Sequence, residues 1–327
     1  MATTAYGDIS PRTAAFAAKE LLKRAIPFMV LEKFGQAKTL PANSSKVIKF
    51  RRYRALPNTP VALSEGVTPG NQVLSATDIT ATLSQYGDRI TVSDVIEDTH
   101  EDQVLQEAIN ILGEQAAQMI EKMRFGILAA GLNVLYANGA SRSAVNTALT
   151  LQTQRRAVRT LKRQNARPIT SVVKSSPNYG TDAVAPGFVA LVHPDLGPDV
   201  RSLQGFVPSE RYGSMSPWEN ELGKCEEVRY VESTIFAPFA DAGGVAGSMI
   251  TTSGANADVY PILMLGRDAY GLVALKGVFA ITPMVVNAKP SDSDPLAQRS
   301  HVSWKAYQTA VILNDAFMVR VEVAATA

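Results

Sequence analysis

The residues best suited to chemistry form one short cluster: Glu97, Asp98, His100, Glu101 and Asp102. Carboxylates together with a histidine can bind a divalent metal ion. A helix start explains the same residues more simply. Thr99 and Asp102 are spaced like a capping box, and acids near a helix N-terminus gain about 0.3–1 kcal/mol each from the helix dipole. We therefore interpret the cluster as a helix start with salt bridges, and metal binding remains the alternative.

Other catalytic or cofactor motifs are missing from the sequence. The three histidines lie far apart, and there is no HExxH, paired-cysteine or GxSxG pattern. The glycines at 243, 244 and 247 lack the GK[ST] ending of a phosphate-binding loop. Cys225 is the only cysteine, so the chain can form neither an internal disulfide nor a thiolate metal cluster. The sequence predicts neither an enzyme nor a cofactor site.

A long helix that follows two strands must position the acidic cluster. Residues 79–84 alternate between apolar and polar side chains, as a half-buried strand does, and residues 90–93 repeat the alternation. From Leu105 the apolar residues recur every three or four positions, up to about Tyr136 and a stop at Gly139. This pattern predicts roughly 37 helical residues, about three times the usual helix length.

A further strand, Lys46 to Tyr53, alternates in the same way, and its natural partner is the strand near Ile79. About 25 residues rich in proline, glycine and asparagine connect the two, and a connection of this length is usually functional or disordered. A hairpin of this kind is poorly stable alone, so we expect it to reach over a neighbouring subunit.

The charges of the chain are segregated. Residues 1–54 contain eleven bases and three acids, whereas residues 78–121 contain one base and ten acids. Because the whole chain carries a net charge of only +2, these segments are expected to pair within or between subunits. The candidate inter-subunit contacts are Arg51, Arg52, Arg54, Glu65, Glu97, Asp98, Glu101 and Asp102.

A second helix is predicted to start after Thr150 and to stop before Pro168. Residues 140–181 contain no acid, and five bases fall on this helix: Arg155, Arg156, Arg159, Lys162 and Arg163. A solvated helix face is the simplest interpretation. Contact with DNA phosphates or with acids of a neighbouring subunit is the functional alternative.

The 327 residues, 46% hydrophobic and 19% charged, are enough for a large folded core. The near-neutral charge does not favour nucleic acid or an anionic membrane as the main partner. The most apolar stretch, residues 125–137, is too short to span a bilayer, and no signal peptide is visible, so we expect folding in a reducing cytoplasm. Near the C-terminus, two apolar segments flank Asn314-Asp315, a hairpin signal.

The run KVIKFRRYRALPNTPVALSEGVTPGNQVLSATDITATLSQYGDRITVSDVIEDTHEDQVLQEA, residues 46–108, strongly resembles tailed-phage major capsid proteins of the coliphage N-four type. Further segments resemble that family in the same order over nearly the whole chain. These are VLEKFGQAK (30–38), LGEQAA (112–117), NVLYANG (133–139), TLKRQNARPIT (160–170), ADVYPILMLGRDAYG (257–271) and RVEVAATA (320–327).

The resemblance implies an α+β chain with the Hong Kong 97 phage major-capsid fold. That fold has an N-terminal arm, an E-loop hairpin, a P-domain with a long spine helix and a β-sheet, and an A-domain. Mapped onto this sequence, it implies an arm at 1–45, an E-loop at 46–92, the spine at 93–139, mainly A-domain at 140–266 and a return to P-domain strands at 267–327.

The resemblance also implies a function. Copies of the chain would form pentamers and hexamers of an icosahedral phage head enclosing double-stranded DNA, assembled in the bacterial cytoplasm without a membrane. A portal and a decoration protein are further expected partners. Because the arm begins close to Met1, we expect a separate scaffold protein. The alternatives are the shell of a cargo-enclosing nanocompartment with the same fold, or a basic nucleic-acid-binding module.

Overall fold

The computed structural model describes residues 29–40, 43, 45–60, 62–68, 70–99, 104–173, 181–212, 217–275, 282–290 and 295–327. The α-helices within these ranges are α1 (Asp94–Thr99), α2 (Val104–Ala129), α3 (Leu151–Arg163) and α4 (Gly197–Arg201). Short 3-10 helices span Leu31–Lys33, Arg142–Ala144, Pro194–Leu196, Ser209–Arg211 and Asp315–Phe317. None of the described helices is long and apolar enough to cross a membrane.

The first sheet is built around its longest strand and consists of β1 (Gln36–Leu40), β4 (Ser84–Ser93), β12 (Tyr270–Leu275), β13 (Thr282–Val286) and β14 (Arg299–Ile312). Strand β14 pairs antiparallel with β4, β12 and β13, and β1 lies parallel to β12. Helix α2 packs on this sheet, because Ile109, Leu112 and Ile120 share a buried cluster with Val302 and Trp304.

The second sheet contains β5 (Val134–Tyr136), β6 (Ile169–Val173), β7 (Thr181–Val192), β8 (Phe206–Pro208), β9 (Glu221–Cys225), β10 (Val228–Glu232), β11 (Tyr260–Leu265) and β15 (Met318–Val323). Its order is β5-β15-β11-β7-β10-β9-β8, with β6 also paired to β7. Successive side chains of a strand point to opposite faces. Accordingly, Ile262 and Met264 enter the core cluster that includes Ala157 and Leu161 of α3. Leu263 and Leu265 enter the cluster on the opposite face of the sheet, which includes Leu128 of α2.

The predicted hairpin is confirmed. Strands β2 (Val47–Tyr53) and β3 (Ala76–Thr82) pair antiparallel from Val47 with Thr82 to Tyr53 with Ala76. Phe50 and Ala81 are buried at its base in a cluster that also contains Leu83. The hairpin is therefore attached to the rest of the chain by apolar packing at one end.

The long helix is shorter than predicted, because α2 ends at Ala129 instead of near Tyr136. Arg320 donates its Nη1–H to the carbonyl of Ala129, and the Asp315 carboxylate accepts the N–H of Leu132 at 3.0 Å. The chain then enters β5, which pairs parallel with β15. Side chains from distant parts of the chain thus satisfy the backbone groups at the helix end. The apolar spacing did not indicate this end.

The predicted hairpin at Asn314-Asp315 is wrong. The strands on either side, β14 and β15, belong to different sheets. The Asn314 side chain accepts the N–H of Ala316 at 3.3 Å, so it begins a 3-10 turn that carries the chain from one sheet to the other. A turn residue fixes where the chain bends but not which strands pair.

Candidate assembly surfaces

The connection between β2 and β3, residues 54–75 and hereafter the hairpin loop, is exposed at every described position. It carries large apolar side chains: Leu63 is 74% exposed and Val73 is 84% exposed, and Leu56, Val67 and Leu74 are at least half exposed. Monomeric soluble proteins rarely leave several such side chains uncovered in one place. Among the residues that the structure describes, the hairpin loop is therefore the surface that most requires a partner.

Two of the predicted arginine contacts are satisfied within the hairpin. Arg51 forms a two-point interaction with Asp78, with nitrogen–oxygen distances of 2.8 and 3.0 Å, and this lowers the pKa of the Asp78 carboxyl. Arg54 donates to the Thr77 hydroxyl at 3.2 Å. The pairing of Arg51 and Asp78 joins the basic and acidic segments inside one subunit.

Arg52 and Glu65 are the remaining predicted contacts of this region, and both are exposed. Neither side chain forms a hydrogen bond or an ion pair with any residue that the structure describes. Both side chains are consequently available to a neighbouring molecule.

The acidic cluster is only partly described. Glu97 and Asp98 lie in α1, which begins at Asp94, whereas His100, Glu101 and Asp102 and the proposed capping box fall outside the described residues. Within the described ranges, no group of three or more His, Cys, Asp or Glu residues is arranged to hold a metal ion.

The basic helix is confirmed as α3, and its start is capped as predicted, with Thr150 accepting the N–H of Thr153 at 3.2 Å. Arg155 donates its Nε–H to Glu226 at 2.9 Å, and Lys162 donates to Glu227 at 2.7 Å. The remaining bases, Arg156, Arg159 and Arg163, are exposed, and their side chains make no hydrogen bond or ion pair to a described residue. A groove of about 580 Å³ runs along this face, lined by Arg155, Val158, Arg159, Lys162, Arg163, Glu226 and Glu227.

Sequence reasoning missed a docking site for the segment Val30–Phe34. Leu31 is fully buried, and the Glu121 carboxylate of α2 accepts the N–H groups of Val30 at 3.0 Å and Leu31 at 2.6 Å. Burial raises the pKa of Glu121 to about 7, and the Arg124 guanidinium opposes this rise. The sequence signal was present, because the spacing of these two charged residues places them next to the apolar face of α2.

The same segment also contacts the turn that precedes β9 of the second sheet. The Phe34 ring lies 5.1 Å from that of Trp218, and Lys33 pairs with Glu219 at 2.8 Å. The Tyr270 hydroxyl of the first sheet donates to the carbonyl of Leu31 at 2.5 Å. Val30–Phe34 therefore links α2, the first sheet and the edge of the second.

Solved structures with a similar fold include several phage capsids. The capsid of Ralstonia phage GP4 has a TM-score of 0.66 and 13% identity, covering 90% of this chain and 87% of that one. The head of Helicobacter pylori bacteriophage KHP40 has a TM-score of 0.62 and 11% identity, covering 99% and 95%. The capsid of cyanophage Pam1 has a TM-score of 0.62 and 13% identity, covering 93% and 92%. At these identities the likeness establishes the fold.

The family described as phage capsid protein has a sequence model that matches residues 76–320. The chain therefore belongs to the phage capsid protein family, a class of structural proteins that build virion shells from many copies of themselves. It is a major capsid shell protein, and the nanocompartment alternative is not favoured. The assignment to the coliphage N-four type stays a prediction. A search of curated protein sequences found no match at a significant level.

Proposed function

We propose that this major capsid protein assembles into pentamers and hexamers of an icosahedral head that encloses double-stranded DNA. One observation supports the mode of assembly: the hairpin loop exposes apolar side chains that the chain itself does not cover. Burying an apolar side chain of this size contributes about 1.5–3 kcal/mol. Repeated modest contacts of this kind between identical subunits favour a closed symmetric shell.

The proposed divisions are an arm at 1–45, an E-loop at 46–92, a spine at 93–139, mainly A-domain at 140–266 and P-domain strands at 267–327. The attachment of the hairpin by one buried end supports the E-loop assignment, because the other end is free to reach a neighbour. Assembly in the host cytoplasm with a separate scaffold protein, a portal and a decoration protein belongs to the same proposal.

The proposed inter-subunit contacts begin with Arg52 and Glu65, because both are exposed and available. A planar guanidinium forms two parallel hydrogen bonds with a carboxylate, which fixes orientation as well as contributing energy. We assign Arg52 to a carboxylate of the next subunit. The full set also contains Arg51, Arg54, Glu97, Asp98, Glu101 and Asp102.

The experiment is a comparison of Arg52→Glu with Arg52→Lys in the purified full-length protein. Arg52→Glu should leave a folded, soluble subunit that fails to form shells, because like charges replace an ion pair. Arg52→Lys keeps the charge but loses the planar fork, so it should assemble more weakly than the wild type but better than Arg52→Glu. Electron microscopy and sedimentation measure assembly, and circular dichroism checks the fold. Normal shells from Arg52→Glu would refute this contact.

A further inference from the structure

We propose that the outer face of α3 binds the phosphate backbone of double-stranded DNA, with Arg156, Arg159 and Arg163 as the phosphate contacts. This inference rests on the proposed function in one respect, since DNA inside the head would be its ligand. We call Arg156, Arg159 and Arg163 the arginine stripe.

The geometry of the stripe suits a linear anion. Residues at positions i, i+3 and i+7 lie on one side of a helix. At 1.5 Å per residue, the three arginines follow one another at steps of about 4.5 and 6 Å along the helix axis. Three guanidinium groups therefore form a row over about 10 Å, so they can contact successive charges of a polymer.

The local charge balance leaves the stripe unneutralised. Glu226 and Glu227 occupy the turn beside the helix, but they pair with Arg155 and Lys162. No acid occurs between residues 140 and 181. The two ion pairs hold the neighbouring side chains in place, and the three remaining positive charges define the face.

Helix stability alone does not explain the stripe. Arg163 lies in the last turn, where a cation interacts favourably with the helix dipole. Arg156 and Arg159 lie in the middle of the helix, where the dipole offers no such gain and nearby positive charges repel each other. A bound anion would relieve this repulsion between neighbouring guanidinium groups.

The helix is a rigid platform for such a contact. Ala157 and Leu161 are fully buried on its opposite face. The buried Gln154 side chain donates to the carbonyl of Cys225 at 2.9 Å and accepts the Tyr230 hydroxyl at 2.8 Å. Because the backbone is fixed beforehand, binding costs only the ordering of the arginine side chains.

Arginine–phosphate contacts predict a specific salt dependence. Each contact releases condensed counterions, so removing three of them should lower the slope of log affinity against log salt by about 2.7. Between 50 and 200 mM salt, wild-type affinity should therefore fall about forty-fold more than that of a variant without the stripe. Binding should not depend on base sequence, because phosphates carry no sequence information.

The test compares two triple variants of the full-length protein in its unassembled form. Arg156→Gln/Arg159→Gln/Arg163→Gln removes the stripe. Arg201→Gln/Arg211→Gln/Lys289→Gln removes three exposed charges elsewhere and is the matched control. Fluorescence anisotropy with a labelled DNA duplex of mixed sequence measures affinity across a salt series, and thermal melting checks both folds.

The inference predicts that only the stripe variant loses affinity and salt slope. If both variants lost DNA affinity and salt slope equally, the effect would come from net charge alone, and the inference would be overturned. A stripe variant that binds DNA like the wild type but no longer forms shells would also overturn it, because the stripe would then contact acids of a neighbouring copy. A wild-type chain that binds DNA through the stripe but forms no shells would contradict the proposed function and leave this inference standing.

Discussion

Replacing two apolar side chains of the hairpin loop, Leu63→Ser with Val73→Ser, should weaken assembly without weakening the subunit. Burial of one such side chain contributes about 1.5–3 kcal/mol, and roughly three-quarters of each remains exposed in the free chain. Covering both would thus contribute about 2.3–4.5 kcal/mol per subunit. At 1.4 kcal/mol per tenfold, the protein concentration needed for assembly should rise roughly forty-fold to more than a thousand-fold.

The same variant should leave the stability of the free subunit nearly unchanged. Because both side chains are exposed, the free energy of unfolding should change by less than about 0.5 kcal/mol. Light scattering against protein concentration measures assembly, and urea denaturation measures stability. The control is Asn71→Ser with Gln72→Ser, which alters polar residues of the same loop. An unchanged assembly threshold in the apolar variant would refute the reasoning, as would an equal rise in the control.

Two further predictions concern the docking of Val30–Phe34. Leu31→Ala should reduce the free energy of unfolding by about 2–5 kcal/mol, because Leu31 is fully buried, whereas Leu132→Ala, at an 88% exposed site, should change it little. Equal urea midpoints for the two variants would contradict the burial of Leu31. The second prediction follows from the raised pKa of Glu121, about 7 instead of 4.5. The folded chain retains a proton that the unfolded chain releases, so this group's stabilisation is complete below pH 4.5 and is lost as pH rises to 7, by about 3 kcal/mol. Glu121→Gln keeps an acceptor for the two N–H groups, so its free energy of unfolding should not fall between pH 4.5 and 7. If the wild type and this variant gave identical pH profiles in urea denaturation, Glu121 would be excluded as the source of the fall.

Local patterns predicted the elements whose residues and partners lie close in sequence. Alternation at residues 79–84 identified most of β3, although β3 ends at Thr82 and Ser84 already begins β4. Thr150 was correctly predicted to cap α3. The register of β2 against β3 follows from the same alternation, because a one-residue slip would expose Phe50.

Contacts between distant residues account for what the sequence did not reveal. The end of α2 is set by Arg320 and Asp315, more than 180 positions away, while the apolar spacing continues past Ala129. Similarly, charge counting placed Glu121 in an acidic segment, and only the fold brings Val30 and Leu31, about 90 positions away, onto its carboxylate.

For the candidate surfaces too, the sequence predicted the local features but not the contacts that depend on the fold. Charge counting identified both the hairpin arginines and the basic helix, and composition identified the loop between β2 and β3. Composition did not identify which arginine pairs internally, because that depends on the register that places Arg51 opposite Asp78. Arg52 lies next in sequence and points to the other face of the strand.

The most direct test of the central claim is electron microscopy of the purified recombinant full-length protein, alone and with a candidate scaffold protein. Assembly by this chain predicts closed icosahedral shells or isolated pentamers and hexamers, in which density from the hairpin loop of one subunit lies on its neighbour. Folded monomers that form neither shells nor capsomers under any of these conditions would contradict it.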